Sequence, residues 1–301
     1  MRIGIMAGAG DGSTLEQLVA QAERAEAAGF ATFWLANIFS YDAITALAVV
    51  GGATRRIELG TAVVPTYPRH PLAIAQQALT TNAASGGRFT LGIGLSHKLV
   101  IEDMFGLSYA HPARHMREYL EVLTPLLRGE AVDYKGEEYK ARAALSVPGG
   151  APTRLLVAAL GPAMLRLTGR FADGTITWMT GVKTLASHTV PTLRKAAEEA
   201  GRPAPRIVAG LPIALVRDAA AARETASKQF SIYGQLPSYR AMLDREGAAT
   251  PGEVAIVGDE KALRAGIARL RDAGVTDFDA AVAPLEPGAA QRTLEFLAAE
   301  L

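Results

Sequence analysis

The sequence predicts an α/β fold, a (β/α)8 TIM barrel with insertions after strands four and seven. Three observations point there. Short apolar runs alternate with longer amphipathic stretches from end to end. Eight such runs are present, each followed by at least one predicted helix. The runs are apolar nearly throughout, the pattern of parallel strands buried on both faces. An open doubly wound sheet can also use this alternation.

The elements follow in order. RIGIM (2–6) is the first strand. The next helix begins at STLE, where Ser13 is the expected cap and Glu16 completes a capping box. Leu15, Leu18, Val19 and Ala22 then share one face, Gly29 ends the helix, and TFWLA (32–36) is the second strand. A helix over about 41–53 leads to IELGTAVV (57–64), and one over about 71–85 to FTLGIGL (89–95). A helix at 112–128 and a hairpin at 132–140, turning at Lys135-Gly136, precede RLLVAA (154–159). A helix from Pro162, the strand GTITWM (174–179), a helix at 184–200 and the strand RIVAGLPIAL (206–215) come next. Helices at 219–230, 237–246 and 260–273, the strand FDAAVA (278–283) and a helix at 288–300 complete the chain. Residues 1–301 read as a single barrel domain, with insertion segments at about 96–153 and 216–260. Both insertions follow a strand's C-terminal end, the face on which barrels build their sites.

Composition narrows the function. Lys plus Arg number 31 and Asp plus Glu 30, with no block of like charge, so a basic nucleic-acid face is not expected. The absence of cysteine excludes a disulfide framework and thiolate chemistry. MRIGIMAGAG is too glycine-rich for a signal segment and no run is long enough to span a membrane, so a cytoplasmic protein acting on a small molecule is expected.

The expected mouth collects the strand ends: Met6 to Ala9, Asn37 with Tyr41, Val63 to Tyr67, Gly94 to His97, Ala159 to Met164, Thr177 to Met179 and Leu211 to Ile213. Most are apolar or small. No triad, carboxylate pair, HExxH or metal cluster is evident, so no metal is expected and the mouth suits a flat organic cofactor that brings its own reactivity. In AALGPAML (158–165), Gly161 and Pro162 open a helix whose free N–H groups favour an anion such as phosphate, although Gly-Pro is also ordinary helix punctuation. In LGIGLSH (91–97), Gly92 and Gly94 face one side of the strand. They make room for a ring or for a bulky barrel neighbour. In LGTAVVPTYPRHP (59–71), Pro65 to Tyr67 read as a pocket edge, and Arg69, His70 and Pro71 as the start of the next helix.

The succession RIGIM, GFATFWLANIF, IELGTAVVPTYPRHPLAIAQQA, GGRFTLGIGLSH, RHMREYLEVLTPLLRGEAVDYKGEEY and LLVAALGPAMLRLTGRFADGTITWMTG resembles the luciferase-like monooxygenase superfamily. Within it, the chain is similar to the branch that uses the deazaflavin coenzyme F420. The resemblance implies a barrel assembled as a homodimer, with the cofactor in the mouth. It implies that backbone amides around Ala159, Leu160, Gly161, Ala163 and Met164 hold the phosphate. Gly94, Leu95, Ser96 and His97 would line the cofactor, with Trp178 nearby. A non-proline cis peptide would join Ala62 and Val63 behind the ring. The oligoglutamate tail of F420 would give Lys98 and Lys183 a task at the rim. Many relatives place an acidic residue and a histidine at the end of strand two, where this chain has Asn37 and Ile38. Ile38 cannot move a proton, which leaves Asn37, Tyr41, Ser96 and His97 as the catalytic candidates. The expected activity is F420-dependent hydride transfer to or from a small organic substrate. The alternatives are an FMN-dependent monooxygenase and a non-catalytic carrier of F420 or flavin.

Overall fold

A computed structural model describes residues 1–7 and 12–301. Eight parallel strands form the barrel: β1 (Arg2–Met6), β2 (Thr32–Leu35), β3 (Glu58–Thr61, resuming at Val64–Pro65), β4 (Phe89–Gly94), β5 (Arg154–Val157), β6 (Gly174–Trp178), β7 (Arg206–Leu215) and β8 (Asp277–Val282). Each pairs with the next, and β8 pairs with β1 to close the ring. The outer helices are α1 (Leu15–Ala28), α2 (Ala43–Ala53), α3 (Pro71–Ala84), α4 (Pro112–Leu127), α5 (Pro162–Phe171), α6 (Val190–Glu199), α7 (Glu260–Asp272) and α8 (Ala289–Ala299).

Three differences from the expected elements have simple causes. The cap of α1 is Thr14 with Gln17, one residue later than Ser13 with Glu16, and both reciprocal bonds of the capping box are made there. Ile256–Gly258 is an extra short strand. It pairs with the outer half of β7, which runs on past the end of β6. The helix expected from 184 begins instead as a π-helical turn, Leu185–Thr189, before α6. The hairpin forms as Val132–Lys135 with Lys140–Ala143. Glu118 of α4 accepts bonds from the amides of Glu137, Glu138 and Tyr139 and so holds its turn.

The outward faces of the strands pack on the helices, giving the main core with Phe33, Leu59, Leu91, Val157 and Phe278. The lumen is filled separately. Trp34, Leu156, Ile176 and Val208 form its central layer. Trp34 fits because Gly60 lacks a side chain: a Cβ there would lie 2.2 Å from the indole ring.

Charge closes the floor. Arg206 of β7 bonds Glu58 of β3 and Asp277 of β8, and Arg2 of β1 bonds the same two carboxylates at 2.9 and 2.7 Å. Thr90 of β4 donates to Glu58 at 2.7 Å. Burial alone would raise both acids, but the two guanidinium groups prevail and hold Glu58 and Asp277 below the usual carboxylate range. One register step above, Asp279 is fully buried and its carboxyl oxygens have no hydrogen-bond partner among the described residues. Burial pushes its carboxyl well above the usual carboxylate range.

Strand β3 is irregular where it meets the mouth. Gly60 pairs with Thr90, but Val64 pairs with Ile93, so β3 carries one residue more than β4 over that span. Thr61 replaces the missing ladder bonds. Its hydroxyl donates to the Gly92 carbonyl and accepts from the Gly92 amide, each at 2.8 Å. The Ala62–Val63 peptide is cis, as the resemblance implies. Gly92 and Gly94 exist for this segment. A Cβ on Gly92 would lie 2.0 Å from the Thr61 carbonyl oxygen, and one on Gly94 would lie 2.7 Å from a Val63 methyl. Of the two readings of these glycines, the structure supports space for a barrel neighbour.

Gly92→Ala is expected to destabilise the fold by about 3 kcal/mol or more, since neither backbone can yield without breaking the ladder. Urea denaturation of the variant measures it, and a loss below about 1 kcal/mol would show that the bulge can relax.

Candidate functional site

The strand ends converge on a cavity of about 590 Å³. Its walls come from the loop after β2 (Asn37 to Asp42), the outer part of β3 (Val63, Pro65, Pro68, Arg69), the segment after β4 (Ser96, His97, Val100, Phe105) and Tyr233 of the insertion after β7. All four catalytic candidates, Asn37, Tyr41, Ser96 and His97, therefore line one space. From the end of β1, Gly8 and Ala9 lie outside the described residues.

Their environments differ. Asn37 turns its carbonyl oxygen to the Ala43 amide at 2.9 Å and so helps start α2, which leaves its amide N–H groups for a ligand. Ser96 has a positive φ of 61°, a sparsely populated conformation for a residue with a side chain. Tyr109 reaches back to its carbonyl at 3.4 Å. Burial lowers His97, so its imidazole is neutral at pH 7. Its ring lies 5.7 Å from Tyr239.

The strand-five loop follows the strand paired with β4 and contributes no residue to the cavity lining. Gly161 is the N-cap of α5, Pro162 fills its first position, and no side chain caps the helix. A Cβ on Gly161 would meet nothing within 4 Å, so the approach to the amides of Ala163 and Met164 is open. The next helix along the mouth, Val182–Thr184, is different. Glu246 accepts from the amides of Lys183 and Thr184 at 3.0 and 2.7 Å and already occupies that end. The loop before α5 is held from behind by His188, whose Nε2–H donates to the Leu160 carbonyl at 2.9 Å. Ala159 is fully buried against the helices, so its side chain does not face the mouth. The mouth-facing neighbour is Ala158, whose Cβ would lie 3.2 Å from one on Gly94. Trp178 packs edge-on against Phe230 and Tyr233 at 5.8 and 6.0 Å, which joins β6 to the insertion above it.

The residues expected to start α3 divide between two roles. His70 accepts from the Leu72 amide and Pro71 opens α3, as expected. Arg69 does not belong with them. It reaches Asp42 at 2.6 Å and forms part of the cavity wall. Two further contributors, His188 and Glu246, were missed because their partners lie 28 and 62 to 63 positions away. No local pattern marks such pairs.

The β3 loop is tied to α4 by an aromatic stack. Tyr67 lies flat on His115, with centroids 3.7 Å apart, and Thr66 and Tyr139 bond the two ring nitrogens of His115. Burial takes His115 down to about 4 despite the nearby carboxylates of Glu138 and Glu118.

These features accompany clear sequence and structural similarities. The family model described as luciferase-like monooxygenase matches residues 1–286. The uncharacterized protein Rv1360 of Mycobacterium tuberculosis is 31% identical over 255 residues, which are 79% of this chain and 75% of that protein. The F420-dependent glucose-6-phosphate dehydrogenase of Nakamurella multipartita is 36% identical over 52% of this chain and 48% of its own length. The coenzyme F420 dependent tetrahydromethanopterin reductase of Methanopyrus kandleri superimposes with a TM-score of 0.84 at 24% identity, covering 100% of this chain and 98% of that one, and so shares the fold.

Because His115 binds its proton more weakly in the fold than in the unfolded chain, stability rises with pH from about 4 to about 6.5. Acidification across that window is expected to cost about 3 kcal/mol from this group. Denaturation at stepped pH measures the slope, which His115→Gln should reduce; an unaltered slope would assign it to other groups.

Proposed function

The chain belongs to the luciferase-like monooxygenase family, and on that basis we propose that it is an F420-dependent oxidoreductase acting on a small organic substrate. The observation that carries this reading is the open α5 N-terminus beside a largely apolar cavity, in a chain whose relatives include an enzyme named as F420-dependent. The residues fit such a cofactor. A phosphate needs unpaired amides at a helix start, and Ala163 and Met164 offer them where no side chain competes. A flat ring needs apolar walls, and Val63, Pro65 and Tyr233 offer those.

When bound in its reduced form, the deazaflavin supplies a hydride at C5. The chain's own groups bind, orient and exclude water. The α5 amides would hold the phosphate end, and His188 bonds the Leu160 carbonyl just before them. The Ala62–Val63 segment, propped by the Thr61 hydroxyl, would back the ring. Neutral His97 and the Asn37 amide present N–H groups to a substrate oxygen, with the Ser96 and Tyr41 hydroxyls as further donors. Ile38 cannot take part in proton transfer. Lys98 and Lys183 are exposed after β4 and β6, where an anionic tail would pass. Within the same reading the chain works as a cytoplasmic homodimer.

Titration of the purified protein with F420, and separately with FMN, tests the assignment through ligand fluorescence. Saturable F420 binding is expected; tight FMN binding with none for F420 would overturn the reading. Ala163→Asp sets a carboxylate against the cofactor phosphate and is expected to weaken F420 at least about tenfold, or about 1.4 kcal/mol. Equal affinity in that variant would remove α5 from the cofactor site.

A further inference from the structure

The charges lining the cavity cancel. Arg69 is the one arginine or lysine among the described lining residues, and it is bonded to Asp42 at 2.6 Å. Asp42 is held in turn. It caps α2 through the Thr45 amide at 2.9 Å, and it accepts from the Thr45 hydroxyl at 2.8 Å. The pair is therefore built into the wall and is not a loose surface contact. His97 brings no positive charge, since burial keeps it neutral. The surrounding wall is apolar: Ile38, Phe39 and Phe105 stand 50%, 67% and 45% exposed at the mouth, waiting for an apolar surface to cover them. An anion brought into this space would lose hydration with no uncommitted cation among the described lining residues to replace it. A neutral apolar body would gain from the same walls. Its single oxygen would meet the N–H groups of His97 and Asn37.

We propose that the Asp42–Arg69 pair makes this cavity selective for a neutral, apolar carbonyl compound or the corresponding alcohol, and excludes carboxylates and phosphates. This deepens the oxidoreductase reading and rests on it for the reaction: the carbonyl carbon would gain the hydride, and its oxygen the proton, that the reduced deazaflavin gives up, so that carbonyl compound plus reduced deazaflavin becomes alcohol plus deazaflavin oxidised by two electrons. The selectivity itself is a property of the cavity wall.

Ligand-observed NMR with cyclohexanone and cyclohexanecarboxylate, a pair matched in shape and different in charge, tests the proposal on the full chain with and without F420. The wild type is expected to bind the ketone and not the carboxylate. Asp42→Asn keeps a good helix cap and frees Arg69, so it should gain carboxylate binding by at least about tenfold. The double variant Asp42→Asn/Arg69→Gln should lose that gain. A wild type that binds the carboxylate as tightly as the ketone overturns the proposal, as does an Asp42→Asn variant that gains nothing. Failure of F420 to bind would instead count against the cofactor reading and leave the charge comparison intact.

Discussion

The contact on which the mouth depends is the one between the Thr61 hydroxyl and the backbone of Gly92. Where β3 carries its extra residue, the regular ladder to β4 cannot continue, and a buried amide and carbonyl would go unpaired at a cost of about 1–3 kcal/mol each. Thr61 satisfies both with one oxygen. The extra residue then pushes Ala62 and Val63 toward the lumen, and the space they take is vacated by Gly92 and Gly94. One hydroxyl and two missing side chains thus set the β3 side of the cavity, where Val63 forms part of the wall.

Around that wall the structure separates what holds the barrel from what faces a ligand. The floor is a dense charge network in which each acid is shared by two arginines. Above it sits an apolar layer centred on Trp34. At the third level polar groups line the cavity, and several of them are partly committed: Asn37 to α2, Asp42 and Arg69 to one another, Ser96 through its carbonyl to Tyr109. These commitments fix the directions of the remaining donors without consuming them, which is the arrangement a binding site needs.

The barrel was legible because its signals are local. Apolar runs of a few residues, glycine after helices and alternating elements are visible in any short window, and they placed every barrel strand within a few residues. Cap positions were less secure, because Ser13 and Thr14 are both competent and packing chooses between them. The site was legible only in outline. The strand ends and the Gly-Pro helix start could be located, but the pairs that shape the site join distant positions. Asp42 with Arg69, Leu160 with His188, and the Gly181 loop with Glu246 are separated by 27, 28 and more than 60 positions. Hydrogen bonds of that kind leave no periodicity. Gly92 and Gly94 were read correctly as unusual, but their partner across the strand could not be named from their own spacing.

The charge-closed floor has a wider consequence. Strand β7 runs ten residues from Arg206 at the floor to Leu215 beyond the mouth, about 30 Å of extended chain. The groups that knit the strands together and the groups that meet a ligand therefore stand at opposite ends of the same rods. A change in the loops at one end leaves the cross-bracing at the other untouched. Such a molecule behaves as a chassis with an exchangeable head: its rim can drift through many residue combinations, and so acquire new preferences, while the frame that carries it stays inherited and intact.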